Sequence, residues 1–206
     1  MKNNKAIIFD LGGVILNINY QNTIDEFLNL GVKNASTFYS KKTQTNLFNQ
    51  IETGKITTEK FLSELKKKTN NATIYQVKEA WNAMLLDLPK ERISLLKKLS
   101  QDYRIFLLSN TNAIHISAIK KYLGECTYTN FYNLFNKVYY SHEIGFRKPN
   151  KEPFQLILKE NNLKANEVVF IDDSPQHIKE AKKIGMKTHH LKDGEKITTL
   201  FADIVQ

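Results

Sequence analysis

Ile7-Ile8-Phe9-Asp10-Leu11-Gly12-Gly13-Val14-Ile15 places a carboxylate at the end of an apolar run, with two glycines close behind it. The apolar residues demand burial, and an ionised carboxylate at the tip of a buried strand is costly unless it is paired, hydrogen-bonded or bound to a cation. Asp10 is therefore a candidate site residue. Glycine lets backbone come close to that carboxylate and adopt positive φ, so Gly12 and Gly13 suit a cradle for an ion or ligand. A plain strand followed by a turn fits the same residues equally well, so the decision lies in the rest of the chain.

Three further apolar runs end on polar groups. Ile105-Phe106-Leu107-Leu108 leads into Ser109-Asn110-Thr111-Asn112, Val138-Tyr139-Tyr140 into Ser141, and Val168-Val169-Phe170-Ile171 into Asp172-Asp173-Ser174. Helical periodicity lies between them, as in Ile93, Leu95, Leu96 and Leu99, or Phe154, Leu156, Ile157 and Leu158. Strands alternating with helices predict right-handed crossovers and a Rossmann-like α/β core, a parallel sheet covered on both faces. Ligands bind such sheets at the carboxyl ends of the strands, where all four polar tips should converge.

The texture changes between Asn17 and Pro89. Candidate helices over Thr23–Leu30, Ser36–Gln50, Thr58–Lys68 and Ile74–Leu86 follow one another without a strand, with a helix start marked near Gly54 and Thr57. The expected organisation is a core of residues 1–16 and 89–206 with an all-helical cap inserted at 17–88, emerging at a strand's carboxyl end and so placed to cover the site. Tyr20, Phe27, Phe48, Tyr75 and Trp81 are its main aromatics, expected to form its small core rather than to touch substrate.

A chain of 206 residues with a formal charge of +9 can bury a sizeable interior. Its lysines come in short runs (Lys66 to Lys68, Lys97 and Lys98, Lys120 and Lys121, Lys182 and Lys183), which read as solvated helix faces rather than a nucleic-acid surface. No apolar run is long enough to span a membrane, and Met1 to Lys5 lead directly into the first strand without a signal peptide, so a cytoplasmic location is expected. The single Cys126 excludes an internal disulfide and a cysteine metal cluster, and is expected to be no nucleophile. A monomer or weak homodimer is expected.

Taken together, Phe9-Asp10-Leu11-Gly12-Gly13-Val14, Leu108-Ser109-Asn110-Thr111-Asn112, Ser141 to Pro149 with Gly145 and Lys148-Pro149 inside it, and Phe170-Ile171-Asp172-Asp173-Ser174 resemble the haloacid dehalogenase-like hydrolase superfamily. The likeness covers nearly the whole chain and is nearest to the helical-cap phosphatase branch, including bacterial proteins of the glucose-1-phosphate phosphatase type. It implies that Asp10 is a nucleophile forming an aspartyl-phosphate. It implies a magnesium ion held by Asp10, the Gly12 carbonyl, Asp172 and Asp173, oxygen ligands of the kind that ion prefers. Asp172 and Asp173 read alone are equally a helix N-cap and a first-turn acid. Ser109 through its hydroxyl and Asn110 through its backbone N–H would hold phosphoryl oxygens, and Lys148 would neutralise nucleophile and phosphoryl charge. Pro149 would help to start the following helix, Arg147 would point elsewhere, and His142 would be structural.

One position departs from the pattern. Most phosphatases of the superfamily carry a second Asp two residues after the nucleophile, as general acid and base, where this chain has Gly12. Such assistance contributes typically ~100- to 10,000-fold. An acidic leaving group such as an anomeric sugar phosphate, a substitute residue or water, or weakened turnover would each accommodate the loss. The expected function is magnesium-dependent dephosphorylation of a small metabolite, with a sugar phosphate favoured. A 2-haloacid dehalogenase and a catalytically weak phosphometabolite-binding protein are the alternatives.

Overall fold

The computed structural model describes residues 5–35 and 46–202. Five parallel strands form one sheet in the order β3-β2-β1-β4-β5: β1 (Ala6–Phe9), β2 (Arg104–Ser109), β3 (Lys137–Tyr140), β4 (Val168–Asp172) and β5 (Lys187–His190). The first four are the expected ones. The alternation of side chains along each strand splits the interior into two layers. Ile7, Phe9, Ile105, Leu107, Val138, Tyr140, Val169 and Ile171 point to one face, Ala6, Ile8, Phe106, Leu108, Tyr139, Val168 and Phe170 to the other. Both faces are covered by helices, as a sheet of near-continuous apolar strands requires.

The helical block begins one short connection after β1. It comprises α1 (Tyr20–Asn29), α2 (Asn46–Glu52), α3 (Thr58–Lys66) and α4 (Ile74–Asn82). The start of the helix expected over 36–50 lies outside the described residues, which resume at Asn46. Side chains define the helix starts: Asn19 accepts the Gln21 N–H, Thr57 the Lys60 N–H, and Thr73 with Gln76 forms a capping box. Phe27, Phe48 and Trp81 are buried in the block's own core, with Phe48 stacked on Trp81 at 5.3 Å and Phe61 edge-on to it at 5.0 Å. Tyr75 is exposed.

The two connections to the sheet run antiparallel beside each other. The N–H of Asn17 donates to the Asp87 carbonyl at 2.9 Å and that of Leu86 to the Asn17 carbonyl at 3.0 Å, while Asn19 N–H reaches Met84. Beyond them follow α5 (Lys90–Asp102), α6 (Ala113–Leu123), α7 (Glu125–Tyr132), the short α8 (Ser141–Ile144), α9 (Glu152–Glu160), α10 (Pro175–Lys183) and the short α11 (Ile197–Leu200). The helix after Lys148 begins at Glu152 with Pro153 in its first turn, so Pro149 does not start it as expected. Among the described residues no helix is long and apolar enough to cross a membrane. The lysine runs lie on largely exposed helix positions, and Cys126 is exposed.

One contact joins the block to the sheet domain most tightly. Asn112 caps α6 by accepting the N–H groups of Ile114 and His115 at 3.1 Å each, and its Oδ1 also lies 3.5 Å from the Trp81 indole nitrogen. His115 stacks on Trp81 with ring centroids 4.8 Å apart. Its Nε2 lies 3.1 Å from the Trp81 carbonyl oxygen and its Nδ1 3.3 Å from the Asn112 amide nitrogen. The carbonyl can only accept, so Nε2 carries the proton and Nδ1 accepts from the amide. Burial pushes the imidazole down to about 4.

A histidine buried neutral stabilises the fold fully above its unfolded pKa and loses that contribution as pH falls toward its folded value. Between pH 6.5 and 4 this group should cost about 3 kcal/mol. Urea unfolding of His115→Gln should therefore show a flatter acid slope than the parent over that interval. Matching slopes would show that the imidazole does not set the acid limb.

Candidate active site

β1, β2 and β4 are neighbours in the sheet, so the polar residues at their carboxyl ends meet in space. Asp10 follows β1, Ser109 ends β2 and Asp172 ends β4. The side chain of Lys148 lies between them and is fully buried. Its Nζ donates to Asp10 Oδ1 at 2.8 Å, Asp172 Oδ2 at 2.7 Å and the Leu108 carbonyl at 2.8 Å. Three N–H donors thus meet three acceptors, which is what a buried ammonium requires.

The loop carrying Lys148 is fixed by Asn110. The amide of Asn110 accepts the Lys148 N–H at 2.9 Å and donates to the Lys148 carbonyl at 2.8 Å. Ser141, at the end of β3, ties in the next residue, for its hydroxyl accepts the Thr111 N–H and donates to the Thr111 carbonyl. Ser109 and Asn110 both line the cavity.

Asp172 is oriented from two sides. Its Oδ1 accepts the Ser174 N–H at 2.7 Å, and His177 Nδ1 lies 2.9 and 3.0 Å from its two oxygens. Ser174, not either aspartate, is the N-cap residue of α10. His177 is the third residue of α10, so the first turn of the helix points it back at the strand end; the five-residue spacing from Asp172 is a usable signal. Burial holds the His177 imidazole below its ordinary range.

Electrostatics separates the two aspartates that Lys148 bridges. Burial pushes Asp10 up to about 7, with Lys148 opposing and Asp172 and Asp173 adding to the rise. Burial would also raise Asp172, but Lys148 and His177 outweigh it and hold that carboxyl down, at about 2. For Lys148 burial works against the charge and the two carboxylates more than offset it, raising its pKa.

Asp10, Asp172 and Asp173 each offer an oxygen, all within 4.8 Å of one another, a set that can hold a metal ion. The Asp173 carboxylate lies in the space that a side chain on Gly13 would fill, and Gly13 has φ +77°. Gly12 has a different neighbour. A Cβ there would lie 2.9 Å from Ile18 Cδ1, so an apolar side chain packs toward the space a second carboxylate would enter.

The cavity above these residues measures about 530 Å³. Asp10, Ser109, Asn110 and Asp173 line it on the sheet side, and Tyr20, Asn46, Asn49, Glu52 and Met84 on the side of the helical block. Burial and the nearby carboxylates, Asp173 foremost, raise the pKa of Tyr20. Arg147 was expected to point elsewhere, yet it lines the cavity and pairs with Glu52 at 2.9 Å. The partner comes from α2, so neighbouring sequence held no sign of it. His142 does not line the cavity; it stacks beside Tyr140 at 6.0 Å, and its carbonyl lies where a side chain on Gly54 would sit.

Comparison with known proteins agrees with this arrangement. A family model described as haloacid dehalogenase-like hydrolase matches residues 4–185. The D-ribitol-5-phosphate phosphatase of Bacteroides thetaiotaomicron is 30% identical over 193 residues, 92% of this chain and 93% of that protein. A sesquiterpene phosphatase of Aspergillus oryzae is 27% identical over 197 residues, 92% of this chain and 90% of its own length. A crystal structure of a HAD family enzyme from Bacteroides thetaiotaomicron in complex with magnesium and inorganic phosphate superposes with a TM-score of 0.85 at 32% identity, covering 96% of this chain and 99% of that one. On the extent of that family match, and with the expected strand ends meeting around Lys148, the chain belongs to the haloacid dehalogenase-like hydrolase family.

Proposed function

We propose that this protein is a magnesium-dependent phosphatase of a small phosphorylated metabolite, a sugar or polyol phosphate, working through an aspartyl-phosphate on Asp10. The observation that carries the reading is the buried Lys148 ammonium, held at 2.8 Å from Asp10 within a cluster of three carboxylates. In this reading residues 1–16 and 89–206 are the catalytic core and 17–88 the cap. The relatives named as phosphatases, and the related enzyme crystallised with magnesium and phosphate, support it.

Asp10, Asp172, Asp173 and the Gly12 carbonyl would hold the magnesium, a hard oxygen donor set of the kind that ion takes. When bound, it offsets the repulsion between Asp10 and an anionic phosphoryl group. Lys148 keeps the Asp10 carboxylate oriented and supplies positive charge where negative charge accumulates. Ser109 and the Asn110 N–H hold nonbridging oxygens. The Asp10 oxygen attacks phosphorus, the bond to the leaving oxygen breaks and that oxygen takes a proton from water, since Gly12 offers no acid; a water molecule then attacks the acyl phosphate, gives its proton to solvent and regenerates Asp10. The helical wall of the cavity limits bulk water around these steps. A dehalogenase reading is disfavoured by the same cluster, because Asp172 and Asp173 repel an anionic haloacid.

Phosphate release from a panel of sugar and polyol phosphates should require magnesium and stop on chelation. Asp10→Asn should lower it on the order of 10,000-fold. A magnesium-loaded protein inactive across the panel would sink the reading. Gly12→Asp displaces only the Cδ1 end of the half-buried Ile18, so urea stability should change by less than about 1 kcal/mol and kcat should rise, while an unchanged kcat would show that Ile18 excludes the acid. A rise in kcat without loss of stability would show that the space is open to an acid.

A further inference from the structure

The cavity wall built from α2 carries a second, separate set of polar groups. This helix turns Phe48 and Ile51 into the core of the helical block, while Asn46, Asn49 and Glu52, three residues apart, line the cavity on its other side. Glu52 is only 5% exposed and faces Arg147 Nη2 at 2.9 Å. The Arg147 side chain is itself 18% exposed, and its Nε is buried with no hydrogen-bond partner among the described residues. A carboxylate and a guanidinium taken out of water together commonly return less than their desolvation costs. The pair is therefore a weak source of stability, even as a tie between α2 and the loop of Arg147.

Amides, a carboxylate and a guanidinium at one wall supply acceptors and donors side by side. Hydroxyl groups both donate and accept, so several hydroxyls on one molecule match such a set. A second phosphate does not, because the Glu52 carboxylate repels it. A purely apolar leaving group does not either, since it would cover the amides without bonding to them. The Leu16, Met84 and Leu85 side chains line the same cavity and suit the carbon skeleton of the same ligand.

We propose that Asn49, Glu52 and Arg147 read the hydroxyls of the leaving group, and so select polyol and sugar phosphates over alkyl or terpenoid phosphates. This assignment of specificity rests on the phosphatase reading of the site.

The test is the ratio of kcat/KM for D-ribitol 5-phosphate to that for n-pentyl phosphate, which has the same number of carbons and no hydroxyls. With magnesium present the parent protein should prefer the ribitol ester by about 100-fold or more. Glu52→Gln and Asn49→Leu should each reduce that preference about 10-fold. Asn49→Leu leaves the ion pair intact, so it remains informative if Glu52→Gln fails to fold. Equal rates on the two esters in the parent, a preference that survives both substitutions, or parallel losses on both esters would overturn the proposal. If neither ester is hydrolysed and the sugar and polyol phosphate panel is inert as well, the phosphatase reading has failed. Calorimetry of both esters binding to Asp10→Asn protein then decides the specificity alone: preferential binding of the ribitol ester that is lost with Glu52→Gln supports it, and equal binding overturns it.

Discussion

A buried ammonium cannot be left without partners, and Lys148 meets that constraint by drawing three strand ends together. Its acceptors come from Asp10 beyond β1, the Leu108 carbonyl in β2 and Asp172 at the end of β4. The order β2-β1-β4 makes those ends adjacent, so the sheet topology and the charge arrangement are one solution. Without the lysine, Asp10 and Asp172 would face each other across a desolvated gap, an arrangement that burial alone makes unfavourable. Lys148 lowers both carboxyls, and His177 adds to it only on the Asp172 side, where the Ser174 N–H also bonds; that carboxyl is held down while burial pushes Asp10 upward.

Four of the five strands are legible in the sequence because each is a buried apolar run ending on a polar tip. β5 is not, because Lys187-Thr188-His189-His190 sits half-exposed at the sheet edge and carries no apolar signature. Asp10, Ser109, Asp172 and Asp173 are legible as strand-end groups; Asp10, Ser109 and Asp173 line one cavity, and Asp172 is fully buried against Lys148. Arg147 misleads, since its partner Glu52 comes from a helix far away in sequence, and local pattern holds no sign of the contact. Asn110 reads as a phosphate-binding position from its place after β2, while its side chain is occupied with the Lys148 backbone. Gly12 reads as a permissive turn residue, and only the three-dimensional arrangement reveals Ile18 beside it.

The helical block meets the rest of the molecule through chemically different contacts. Trp81, Asn112 and His115 form a knot of stacking and hydrogen bonds, and Ile114 of α6 belongs to the block's own apolar cluster. Elsewhere the contacts are a charge pair, Glu52 with Arg147, and a backbone approach at Gly54, where φ is +66° and any side chain would strike the His142 carbonyl. One seam is therefore uncharged, and the other carries an ion pair that lines the cavity.

The two hydrogen bonds between the Asn110 amide and the Lys148 backbone have a metric consequence. They clamp the 147–149 loop to the end of β2, so that Ser109, Lys148 and Arg147 ride on a single stiff mount. The mount locates the backbone of Arg147 relative to Ser109, while the guanidinium at the end of its side chain is held by Glu52 of α2. Backbone and side chain of one residue thus answer to different parts of the molecule, so any shift of α2 against the sheet is registered first at the Arg147 guanidinium.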